Sequence, residues 1–214
     1  MRRILGIVMV LSMVGTSLAS GQEENPKVIL DKMSATYKAM AGFEIEFVQK
    51  VMSESEVLDR FSGVAAVAKE KFMIKFRDQH IYCNGPVLWT YLVESQELTI
   101  TNFEPEETFI NPTNIYDIYK EGFKYDYKRS ENLGGALVDV IELISTDEDS
   151  DFTNIIMYID QSTSYLKAWD LIDYDGIKTS FEVANFKPNQ VYAGNAFEFD
   201  SKKNPVQHTE DYRN

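Results

Sequence analysis

From Phe43 onward, apolar side chains recur at every second position, and this alternation commits most of the chain to β-sheet. Phe43, Ile45 and Phe47 are interleaved with Glu44 and Glu46, so one face of that segment is apolar and the other charged. The rhythm returns at 57–68, 72–77, 87–93 and 98–103, with Ile81-Tyr82-Cys83 leading into Asn84-Gly85-Pro86. Asn-Gly between apolar runs signals a hairpin, because both residues tolerate the positive φ of a tight turn. A second set covers 123–129, 137–145, 153–159, 165–172 and 177–185. A last short strand near 196–199 precedes a polar tail, 201–214, expected to fray. About eleven strands with a turn every 8–12 residues define antiparallel meanders of a sandwich or barrel.

Two segments break the rhythm. Asn25 is a fair N-cap and Pro26 suits the first helical position. Ile29, Met33, Tyr37 and Met40 follow at spacings of three and four, with Gly42 as the expected C-cap, so 26–41 reads as an amphipathic helix. Asn111-Pro112 repeats the opening signature, and Ile115, Ile118 and Tyr119 give 112–121 a short apolar face. A long sheet twists and curls, and its concave face must be filled. These two helices are the only substantial apolar elements outside the strands after Gly21. The economical arrangement is a mainly β fold with some α, in which helices lie over the open side of a curved sheet. The interior is then either a closed core or a ligand cavity, and alternation alone does not choose between them.

The N-terminus has a different character. Arg2 and Arg3 precede an apolar run of about 11 residues, well short of the ~20 that span a bilayer. Small residues up to Ala19 then offer a cleavage site, so 1–19 reads as a secretory signal peptide and 20–214 as a single exported domain. No cysteine follows the run, which argues against lipid modification of the chain itself. The formal net charge is −13, and losing Arg2 and Arg3 makes it two charges more negative. Such an acidic balance excludes nucleic acid and anionic membrane surfaces as natural partners. The single cysteine, Cys83, cannot form an intramolecular disulfide.

Catalytic signatures are sparse. Cys83 and His80 stand three apart on a strand and so point to opposite faces, which defeats a nucleophile–base pair. Asp147-Glu148-Asp149-Ser150-Asp151 resembles the start of a calcium loop, but Phe152 and Tyr158 occupy positions that need Gly and Glu. It reads as a solvated hairpin tip. Neither a metal site nor a cofactor is expected, and no local pattern singles out a glycosidase pair of carboxylates. Apolar binding has more support. Phe72, Ile74 and Phe76 share one strand face and Trp89 and Tyr91 another, the side-chain types that line adaptable apolar cavities.

At these residues the chain resembles the LolA-type periplasmic lipoprotein carriers. The similar stretches are 43–50 after the first helix, 63–76, and Asn84-Gly85-Pro86-Val87-Leu88-Trp89-Thr90-Tyr91, which is similar to the family's D-G-x-x-L-W-x-Y hairpin. Residues 166–186 resemble its D-x-x-G…F strand pair, and 195–199 its closing F-x-F. The resemblance implies an unclosed antiparallel β-barrel with a helical lid over a hydrophobic cavity. It implies a non-catalytic, monomeric periplasmic carrier of acylated lipoproteins, loaded by an inner-membrane release complex and unloaded to an outer-membrane acceptor. Carried over by position, the acyl-chain cavity comprises Met33, Tyr37, Phe43, Phe47, Ile74, Phe76, Trp89 and Tyr91. One departure stands out. Where the family commonly has K-R-P, with an arginine that latches the lid, this chain has Lys69-Glu70-Lys71, leaving Arg60 or Lys71 as possible substitutes. Two other readings remain open: a lipid or lipoprotein sensor of the same fold, and a secreted hydrolase with a carboxylate pair in the barrel mouth.

Overall fold

The computed structural model describes residues 25–54, 56–105, 111–147 and 149–213. The signal peptide expected at 1–19 lies outside them. A helix, α1 (Pro26–Lys38), opens the described chain. Asn25 caps it as expected, its side chain accepting from the Lys27 amide at 3.0 Å, with Pro26 in the first turn. The helix ends on Ala39 rather than running to residue 41. Gly42 is needed for another reason than a helix cap. A Cβ there would lie 2.6 Å from the Val67 carbonyl and 2.9 Å from that of Gln190, so only glycine lets three backbone segments meet.

Six strands follow in a meander: β1 (Phe43–Ser53), β2 (Glu56–Ala68), β3 (Lys71–Lys75), β4 (Gln79–Cys83), β5 (Val87–Leu92) and β6 (Glu97–Asn102). A second meander comprises β7 (Phe123–Leu133), β8 (Ala136–Ser145), β9 (Asn154–Asp160), β10 (Leu166–Ile172) and β11 (Ile177–Lys187). The two join where β1 pairs antiparallel with β11. The sheet ends on β7 at one side, and at the other on β12 (His208–Asp211), which pairs parallel with β6. It is one twelve-stranded sheet, curled but not closed into a barrel.

Three sequence expectations differ from this architecture. Residues 112–121 form turns and a single 3-10 turn at Ile118–Lys120, not an α-helix. Asn111 and Asn114 spend their side chains on nearby backbone: Asn111 accepts from the Thr113 amide at 2.9 Å, and Asn114 from the Asn111 amide at 2.8 Å. Such local bonds compete with helix propagation. The apolar side chains still do what the pattern predicts, since Ile115, Tyr116 and Tyr119 are buried in the main core. Near 196–199 there is no strand. Instead, turns let Phe197 and Phe199 serve as pegs, packed on Tyr192 at 5.0 Å and on Tyr91 at 5.2 Å. The polar tail expected to fray carries β12, because the β6 edge offers unpaired backbone groups that it satisfies.

The core occupies the concave face. Leu30, Met33 and Tyr37 from α1 meet Ile115, Tyr116 and Tyr119, and both sets press onto β1, β2, β8, β9 and β10. Fully buried Ile141, Leu143, Ile155 and Met157 hold the β8–β9 side shut. At the β1–β2–β3 and β10–β11 side the packing is incomplete.

Candidate functional site: an apolar cavity between lid and sheet

The incomplete side holds a cavity of about 250 Å³. Its sheet wall is built from Phe43, Ile45, Phe47 and Gln49 of β1, Ala65 of β2, Ile74 and adjoining Phe76, Leu166 and Trp169 of β10, and Phe181 and Val183 of β11. Tyr37 of α1 and Asn111, Pro112 and Ile115 complete it from above. Aromatic rings set its shape. Phe47 meets Phe76 edge-on at 5.6 Å, and Trp169 stacks on Phe181 at 4.8 Å. Gly63 backs the Phe47 ring: a Cβ there would sit 2.8 Å from that ring and 3.0 Å from the Lys75 carbonyl.

Two backbone irregularities decide which residues reach this wall. In β11 the register slips opposite Glu46 and Phe47, so Val183 and Phe186, three apart, both turn inward. In β10 a slip between Leu166 and Ala168 brings Leu166 and Trp169 inward together. A bulge inserts one residue and reverses the side-chain parity beyond it. The two slips put Leu166 out of phase with Trp169, and Phe186 out of phase with Phe181 and Val183, so no single period-two series collects the inward residues on this side of the cavity.

Of the eight residues expected to line a cavity, Tyr37, Phe43, Phe47, Ile74 and Phe76 do so. Met33 is fully buried in the core beneath α1 and does not reach the opening. Trp89 and Tyr91 are not at the cavity. Register places them opposite Tyr82 and His80, on the face away from Ile81, Cys83 and Leu88, which belong to the main core. There Tyr82 and Tyr91 pack on Phe199, and the Tyr91 hydroxyl donates to the Pro205 carbonyl at 2.7 Å. The alternation of that hairpin was legible, but not which of its two apolar faces met the lid.

The lid is tied at its outer surface by charge. Asp117 accepts from Ser34 and Lys120 at 2.5 Å and pairs with Lys38 at 2.6 Å. Tyr119 donates to Asp31 of α1 at 2.7 Å. Burial works to raise the Asp117 carboxyl, but the bonds from Lys120, Lys38 and Ser34 outweigh it and hold it below the usual carboxylate range. Inside, Tyr37 stacks on Tyr116 at 4.8 Å, and its hydroxyl accepts from the Leu166 amide at 3.1 Å. Burial pushes that phenol well above its ordinary range. Glu70, at the position of the family arginine, lines a separate space of about 330 Å³ beside Lys38 and Asp117. It makes no ion pair among the described residues, and neither Arg60 nor Lys71 takes over. The ties run through Asp117 instead.

An open, curled sheet with a tied lid over an apolar hollow defines a class of binding protein built around a hydrophobic cavity. The chain matches the family described as outer membrane lipoprotein carrier protein LolA over residues 38–200, and it belongs to that family. It is 26% identical over 187 residues to an outer-membrane lipoprotein carrier protein of Legionella pneumophila, covering 85% of this chain and 88% of that one. Among solved structures, an uncharacterized conserved protein from Thermus thermophilus shares the fold with a TM-score of 0.59 at 11% identity, covering 86% of this chain and 98% of the other. A LolA superfamily protein from Nitrosomonas europaea is matched at a TM-score of 0.43 and 11% identity, covering 81% and 97%.

Proposed function

We propose that this protein is a soluble periplasmic carrier that holds the acyl chains of lipoproteins in the lidded cavity and transfers them toward the outer membrane. The observation that carries this reading is the cavity wall. Apart from Gln49 and Asn111 its described lining is apolar or aromatic, with the Tyr37 hydroxyl oxygen accepting from the Leu166 amide. Burial of a methylene there is worth about 0.8 kcal/mol, so a chain of ten or more methylenes supplies the affinity without any catalytic group. Among the described residues no Asp, Glu, His or Cys lines it, which favours the carrier over a hydrolase with paired carboxylates. Family membership supports lipoprotein as cargo, and the sequence resemblance implies an inner-membrane complex as donor and an outer-membrane acceptor. An apolar chain crossing an aqueous periplasm needs such an escort, which fits the leader read at 1–19 and the single free thiol, Cys83.

The hollow of about 250 Å³ falls just under the roughly 300–1,000 Å³ of ordinary ligand clefts. Loading therefore widens it, and the lid is the part held by side-chain ties rather than by a strand ladder. The test is capture from a cell envelope followed by mass spectrometry, with displacement of a fluorescent fatty-acid probe as the solution measurement. Co-purified acylated protein and saturable probe uptake are expected. A folded protein that takes up no acyl compound defeats the reading.

A further inference from the structure

Trp169 contributes a flat ring to the cavity wall, and it contributes something the other rings do not. It is 9% exposed, sits directly opposite Phe181 in the β10–β11 register and stacks on that ring. Its indole nitrogen, Nε1, is buried with no hydrogen-bond partner among the described residues. Only one other buried side-chain atom among them shares that condition, His80 Nδ1, and His80 belongs to the opposite face of the sheet. An indole N–H has a single proton to donate and cannot accept. Burying it unpaired is unfavourable, and phenylalanine would fill the same stacked position without that cost. An orphaned donor in the wall of a binding cavity is explained if the ligand brings the acceptor.

The surroundings restrict what acceptor that is. Among the described residues no lysine, arginine or histidine lines the cavity. An ionised carboxylate or a phosphate would enter a carbon-lined space with no countercharge and lose its hydration. A neutral carbonyl oxygen loses far less and needs one donor. Building on the acyl-carrier reading, we propose that Trp169 is the specificity-determining residue of the cavity. Its Nε1–H donates to the carbonyl oxygen of an ester- or amide-linked acyl chain, and the cavity thereby selects linked acyl groups over free fatty acids and bare hydrocarbon. In the resting protein the nitrogen is closed off. It is uncovered when the entering chain parts the Trp169 and Phe181 side of the wall from the lid.

The test uses purified protein and three probes of equal chain length: methyl laurate, laurate at neutral pH, and dodecane, each displacing a fluorescent acyl reporter. Methyl laurate is expected to compete best. Trp169→Phe keeps the stacked ring and removes the donor, and should lower the ester-over-alkane preference about fivefold, the usual worth of one neutral hydrogen bond. The sequence holds two tryptophans, so ¹⁵N spectra of the unaltered protein show two indole N–H signals, with Trp89 on the opposite face as internal control. Methyl laurate should move the Trp169 signal downfield and dodecane should not, while Trp89 stays in place. An ester that displaces the reporter without moving the Trp169 signal overturns the proposal and leaves the carrier reading standing. So does laurate binding as tightly as its ester, or a preference unchanged in Trp169→Phe. If methyl laurate does not displace a bound reporter the proposal is overturned, and if the protein takes up neither the reporter nor any of the three the carrier reading falls with it.

Discussion

Ser34 on α1 donates a 2.5 Å hydrogen bond to Asp117, 83 residues further along the chain. With Lys38 and Lys120 on the same carboxylate, that bond ties the helix to the turn segment and makes one lid of two unconnected pieces. Asp117→Asn keeps the size of the side chain but removes the charge that both lysines answer. Loss of charge-assisted bonds at a partly exposed site costs about 1–2 kcal/mol. A thermal melt should register that loss, and stopped-flow uptake of an acyl probe should be several-fold faster. Unchanged uptake kinetics in a destabilised variant would mean that the tie holds the fold and not the gate.

The same carboxylate sets a pH dependence. Asp117 is held below the ordinary carboxylate value, so its contribution is complete above the unfolded pKa of about 4 and disappears as pH falls through the folded value. Asp31, which accepts from Lys27 and Tyr119, is lowered for a similar reason and titrates in the same direction. Probe release should accelerate as pH drops below about 4 and stay flat from there to neutrality. Asp117→Asn should abolish most of the acid-side acceleration, with Asp31→Asn as the comparison that separates the two ties. Stopped-flow release across that range is the measurement.

Gly63 gives a way to fill the cavity from beneath. Any side chain there collides with the Phe47 ring and the Lys75 carbonyl, and the second of these cannot swing aside. Gly63→Val should drive Phe47 into the hollow, lowering acyl affinity at least tenfold and stability by about 1–3 kcal/mol. Calorimetry and probe titration on the same sample separate the two effects.

How far these features could be read beforehand depends on what each one rests upon. The sheet, its two meanders and the capped first helix were legible, because alternation, Asn84-Gly85 and Asn25-Pro26 are local signals. The 112–121 segment was legible as a piece of lid but not in its conformation, since Asn111 and Asn114 end helix growth with side-chain bonds that periodicity does not register. The β10–β11 wall was illegible for a different reason. A single inserted residue near Lys167 and another near Ala184 reverse the parity between Leu166 and Trp169 and between Val183 and Phe186, and neither Gly nor Pro marks either place. The assignment of Trp89 and Tyr91 failed through the C-terminal segment. Phe199 and the Pro205 carbonyl give the outer face of the β4–β5 hairpin partners of its own, so an aromatic residue there needs no place in the cavity.

That division of the two faces leads to the sharpest contrast in the molecule. Tyr91 and Phe76 are both aromatic residues of the same meander, yet one is bonded to the C-terminal segment and the other lines the hollow. Tyr91→Phe removes the bond to the Pro205 carbonyl and should cost about 0.5–1.5 kcal/mol, seen as a lower melting temperature and faster amide exchange in β12. Acyl affinity should be unaltered, because nothing on that face touches the probe. Phe76→Glu places a carboxylate in a wall that has no countercharge, and should abolish uptake while leaving the sheet's circular dichroism intact. If Tyr91→Phe weakened acyl binding as much as Phe76→Glu, the outer face and the cavity would be one site, and the assignment of ligand to the concave side alone would have to be abandoned.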